Sequence, residues 1–171
     1  MKTKLLMAFL AISVMSGCDK DDDDDQNNIS TNDRDFTMKA NMANHAEVDA
    51  GQLAATKGME AGVRDFGAHM VADHTTAKLE LKDIATSLGV YAPDSLDAEH
   101  VQLKAQLMLL SGRAFDSVYI HSQVKDHQKA IALFEAQAGS GENRRLIDYA
   151  NKQLPHLRMH LHTADSLAAE Y

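Results

Sequence analysis

With 171 residues, 25 acidic against 17 basic side chains and a net charge of -8, the chain has room for one domain behind an N-terminal segment. Trp is absent, Pro occurs twice, and Ala, Leu and Met dominate the apolar set, which favours helices and leaves little β-branched alternation for a sheet. The acidic balance, with no basic stripe interleaved with aromatics, excludes a nucleic-acid partner.

Residues 1–17 have the three parts of a signal peptide: Lys2 and Lys4, an apolar run over 5–15, and small residues before Cys18. The run falls short of the roughly 20 apolar residues that a spanning helix needs. Met15-Ser16-Gly17-Cys18 resembles a bacterial lipobox, in which the cysteine becomes the acylated first residue. Cys18 is the only cysteine, so an intramolecular disulfide is impossible and lipid attachment is its expected fate. That chemistry predicts a protein held on the cell envelope, at the outer membrane, the periplasmic face or the cell surface. Asp19 and Asp21 to Asp25 surround Lys20, a run that serves either as an acidic export signal or as a solvated spacer. Residues 18–32 are read as this lipidated, disordered tether and 33–171 as the folded domain.

From Asp33 onward apolar residues recur at helical spacing. Phe36, Ala40, Ala43, Ala50 and Leu53 or Ala54 mark a first helix over 36–57, capped by Asn32 or Asp33 and interrupted on its apolar face by Glu47. After Gly58 and Gly62, the stripe Phe66, Met70, Ala77, Leu81, Ile84 and Leu88 passes over Asp73-His74 and stops at Gly89. Pro93-Asp94-Ser95 breaks the pattern before a shorter helix over 96–110, with Asp94 or Ser95 as its cap. Beyond Ser111-Gly112, Ile120, Val124, Ile131, Phe134 and Ala138 align with His127 inside the stripe. Gly139-Ser140-Gly141 leads to a last helix over 142–169, on which Leu146, Ala150, Leu154, Leu157, Leu161 and Ala164 face inward. Pro155 predicts a kink or local opening over 151–155.

Long helices, tight turns at either end and a long middle connection predict an all-α, ferritin-like four-helix bundle with a short extra helix in the crossover. The seven residues from Val71 to Ala77 echo those from Val124 to Ala130, sharing Asp-His at the centre, as in a pseudo-symmetric bundle. Met70-Val71-Ala72-Asp73-His74, Leu96-Asp97-Ala98-Glu99-His100, Asp126-His127-Gln128-Lys129-Ala130, Leu133-Phe134-Glu135 and Leu154-Pro155 followed by His160 resemble the DUF4142 family over about residues 33–169. The resemblance implies a ferritin-like fold in a bacterial envelope and implies no activity.

Nine histidines are many for this length, and one inward polar residue per long helix gives Glu47, His74, His127 and His160. In a bundle these can converge at mid-height as ligands for Zn, Fe, Cu or Ni. Asp73 and Asp126, each preceding a histidine, are candidates to orient the rings, and His156 stands one turn before His160. The competing expectation is a metal-free network in which Glu47 hydrogen-bonds His74 or His127. His45, His69, His100, His121 and His162 are expected at the surface or rim. No Glu-x-x-His occurs, which argues against ferritin-type di-iron chemistry, and no phosphate loop or nucleophile elbow appears. The expectation is a noncatalytic envelope protein that binds an envelope partner or supports stress tolerance, with metal binding as the alternative and metal-dependent redox chemistry conditional on it.

Overall fold

The computed structural model describes residues 29–171, which form five helices: α1 (Thr31–Lys57), α2 (Ala61–Ser87), α3 (Ala98–Leu109), α4 (Gly112–Ser140) and α5 (Arg144–Ala168). The expected signal peptide, Cys18 and the acidic run lie outside the described residues. No described helix is long and apolar enough to cross a membrane.

Helix α1 starts two residues before Asp33, because Ser30 and Asp33 close a reciprocal capping box. Ser30 Oγ accepts from the Asp33 backbone at 3.2 Å, and the Asp33 carboxylate accepts from the Ser30 backbone at 3.4 Å. Neither Asn32 nor Asp33 is therefore the cap, and the helix takes in Thr31 and Asn32 from the stretch expected to be disordered. The same carboxylate accepts from Gln137 Nε2 at 2.7 Å and from the Asn143 backbone at 3.1 Å, tying α1 to the α4–α5 turn. Asp97 rather than Asp94 or Ser95 caps α3, accepting from the His100 backbone at 2.9 Å. Asp94 instead pairs with Lys78 and His45. The expected opening near Pro155 does not occur, and α5 runs through it. Proline removes the partner of the Asn151 carbonyl, but both residues are exposed, so that group is open to solvent and the missing bond costs little.

Short turns make two hairpins, α1–α2 and α4–α5, and between them the chain returns along the full length of the bundle through α3. Contacts fix the directions. Asp33 lies beside Gln137 and Asn143 at one end, while Met59 and Glu60 donate to Asp116 at the other. Thus α2 and α4 run parallel on opposite corners and every adjacent pair is antiparallel, the ferritin-like arrangement. Helix α3 lies against α1 and α4.

The apolar stripes fill two separate clusters. Phe66, Met70, Leu107, Phe115, Tyr119 and Ile120 pack near the α1–α2 turn, and Phe36, Leu81, Phe134, Leu146, Tyr149 and Leu154 near the α4–α5 turn. Between them lies a buried polar layer of Asn44, Glu47, His74, Gln123, His127 and His160. A bundle stabilised by burying apolar area gains nothing from such a layer unless each polar group is satisfied.

Candidate metal centre

Each histidine of the layer occupies a core position of its helix. His74 lies between Met70 and Ala77 on α2, His127 between Ile120 and Phe134 on α4, and His160 between Leu157 and Ala164 on α5. They are 5%, 1% and 2% exposed. Their ring centroids are 5.3–5.6 Å apart, and one donor atom from each lies within 4.8 Å of the others.

The surrounding hydrogen bonds fix which nitrogen of each ring carries its proton. Tyr149 donates its hydroxyl to the Ala77 carbonyl at 3.1 Å and accepts from Asn44 Nδ2 at 3.1 Å. That leaves Asn44 Oδ1 to accept from His74 Nδ1 at 2.9 Å. His127 Nδ1 faces the Gln123 carbonyl at 2.9 Å, and His160 Nε2 faces Asp73 Oδ2 at 3.0 Å. A carbonyl and a carboxylate only accept, so these nitrogens donate. The opposite nitrogens, His74 Nε2, His127 Nε2 and His160 Nδ1, then carry lone pairs, and all three are buried without a partner among the described residues.

Electrostatics keeps the rings neutral. Burial holds His74 well below the ordinary imidazole range, aided by repulsion from His127, His160 and His69. Burial also lowers His127, against the opposing pull of the Gln123 carbonyl, and lowers His160 to about 4 despite Asp73. Glu47 is pushed up to about 8, by burial first, so it stays protonated at neutral pH.

Glu47 shares the layer but stands outside the converging donors. Its Oε1 is 3.7 Å from His127 Nδ1, the Gln123 side chain hydrogen-bonds the carboxyl, and Oε2 has no partner among the described residues. The expected hydrogen bond from Glu47 to His74 or His127 does not form, because each ring spends its N–H on a neutral carbonyl instead. A cavity of about 180 Å³ opens between α1, α4 and the crossover, touching Glu47, His74 and His127, with His100, Asp126 and Lys129 towards its rim. His100, expected at the surface or rim, is half-buried there and raised to about 9, mainly by Asp126 at 3.5 Å and secondarily by Asp97, with burial opposing.

Asp73 and Asp126 orient different histidines from those that follow them. Adjacent helical residues are rotated by about 100°, so a carboxylate cannot face the ring beside it and reaches the next helix. Asp73 holds His160 and Asp126 holds His100. His156 is exposed beside Gln153, because four residues overshoot a full turn by about 40°. Sequence reasoning missed Asn44 and Gln123. An amide on a core stripe is the signal that finds Asn44, whereas Gln123 holds His127 through its backbone carbonyl, which no side-chain pattern reveals, and meets Glu47 through its side chain.

Comparison with curated proteins gives no match. Among solved structures, a DUF305 fragment from Deinococcus radiodurans superposes with a TM-score of 0.69 at 12% identity, covering 84% of this chain and 99% of that one. At that identity the likeness shows the fold alone. The profile described as a domain of unknown function, DUF4142, matches residues 19–167, and the chain belongs to that family.

Proposed function

We propose that this protein binds a transition-metal ion at His74, His127 and His160. One observation carries this: three buried rings bring one ligand nitrogen apiece within 4.8 Å of one another, and the nitrogen opposite each ring's anchoring hydrogen bond has no partner among the described residues. A buried polar atom without a partner costs about 1–3 kcal/mol, so three together are stable only if something fills the space between them. Three neutral nitrogens suit Zn, Cu, Ni or Fe(II) and disfavour the hard ions Mg and Ca. Tetrahedral bonds of about 2.0–2.1 Å bring donors to roughly 3.3 Å, a modest contraction of the triad. Asn44, the Gln123 carbonyl and Asp73 supply the hydrogen bonds that metal-bound imidazoles use for orientation. With three protein ligands a fourth position stays open to water or another ligand.

Equilibrium dialysis of tag-free protein against Zn(II) tests the proposal. One ion per chain is expected, with affinity reduced on the order of 100-fold in His74→Ala and in His127→Ala. Binding unchanged in both variants rules it out and leaves docking of an envelope partner as the better reading.

The envelope location belongs to the same proposal and is supported by Lys2, Lys4, the apolar run and Cys18. Cys18→Ala is expected to release the protein from the membrane fraction or to leave its precursor uncleaved. Normal processing and membrane association in that variant contradict the anchor.

A further inference from the structure

The buried triad meets a second set of donors through His160. His69 and Asp73 lie one turn apart on α2, and Asp73 Oδ2 is 3.2 Å from His69 Nε2 and 3.0 Å from His160 Nε2. The donors of these three residues also lie within 4.8 Å of one another. The rings of His69 and His160 meet edge-on at 5.4 Å. Burial differs sharply from that of the triad, since the His69 side chain is 52% exposed and Asp73 34%. Outside them an open groove of about 380 Å³ runs between α2 and α5, bordered by Asp65, His69, Met159 and His160.

We propose that His69, Asp73 and His160 form a solvent-facing site where a divalent transition ion is captured before it passes to the buried triad. This rests on the metal-binding reading above and adds the route of entry. The two sets divide the work by chemistry. The outer set has a carboxylate, which attracts a cation from water, and an exposed imidazole that exchanges ligands readily. The inner set has no charge and no direct contact with bulk solvent, which favours slow release.

His160 belongs to both sets through opposite nitrogens. A neutral imidazole has one N–H and one lone pair. With the proton on Nε2, donated to Asp73, the lone pair on Nδ1 serves the triad. With the proton on Nδ1, the lone pair on Nε2 joins Asp73 and His69. Moving the ion inward breaks its bond to Nε2 and forms one to Nδ1. The proton lost from Nδ1 is balanced by one taken up at Nε2, with no net change at the ring. The two positions compete for His160, so one chain carries one ion.

Stopped-flow loading of tag-free full-length protein with Co(II) or Zn(II) alone tests this. His69→Ala is expected to keep the equilibrium affinity of the wild type within a few-fold and to slow association by tenfold or more. In His74→Ala/His127→Ala, a weaker site for one ion should persist and should vanish when His69→Ala is added. Loading by His69→Ala at the wild-type rate, with no His69-dependent binding in the double variant, overturns the proposal and leaves the triad standing, filled through the cavity beside Glu47. Binding that ignores His127→Ala but disappears in His69→Ala overturns the triad and upholds the outer site.

Discussion

Glu47 shows how strongly this interior acts on a single residue. Its carboxyl is buried beside His127 with one oxygen unpartnered among the described residues, and burial raises it from 4.5 to about 8. Below pH 4.5 folded and unfolded chains are both protonated there, so the shift leaves stability untouched. As pH rises from 4.5 to 8, only the unfolded chain ionises, and stability is lost across that window. Glu47→Gln keeps the shape and cannot ionise. It is expected to match the wild type in chemical denaturation at pH 4 and to exceed it by about 3 kcal/mol near pH 7. Equal stability of the two proteins at pH 7 would mean that Glu47 is charged in the folded state. The histidines of the layer act with the opposite slope. Their lowered values mean that only the unfolded chain takes up protons as pH falls through 6.5, so they destabilise the fold on the acid side.

At the scale of helices, the position of the layer depends on how closely α1 and α2 approach. Gly51 and Gly67 face each other there, and a Cβ built on Gly67 meets Ala54 Cβ at 2.7 Å and the Gly51 carbonyl oxygen at 2.8 Å. Gly→Ala inside a helix ordinarily stabilises by roughly 0.5–1 kcal/mol. Here the backbones must part, so Gly67→Ala is expected to destabilise by about 1–3 kcal/mol in thermal or denaturant unfolding. A gain in stability would show that the close approach is unimportant. The helices themselves were legible in the sequence, because Phe36 to Ala54, Phe66 to Leu81 and Leu146 to Ala164 repeat at helical period. Their ends were less so. Ser30 caps α1 only because Asp33 answers it from inside the helix, and Asp97 caps α3 because Asp94 is drawn away by Lys78 and His45. The three imidazoles of the site were legible for the same reason as the core, since they occupy stripe positions. Their partners were not, because Asp73 and Asp126 act across helices and Gln123 holds His127 through its backbone.

For the whole molecule, connectivity explains why the layer forms. The crossover carrying α3 lets α2 and α4 run parallel on opposite corners, so the two Asp-His pairs approach the bundle axis from opposite sides with α5 completing the triad. The echo between residues 71–77 and 124–130 thus follows an axis along the bundle and relates diagonal helices rather than successive hairpins. Two apolar clusters hold the ends, and the polar layer between them is the part that stability alone does not require. X-ray absorption at the metal edge of Zn(II)-loaded, tag-free protein tests that account most directly. Three imidazole scatterers at about 2.0 Å are the expected result. A shell of oxygen donors alone, unchanged in His127→Ala, would contradict it.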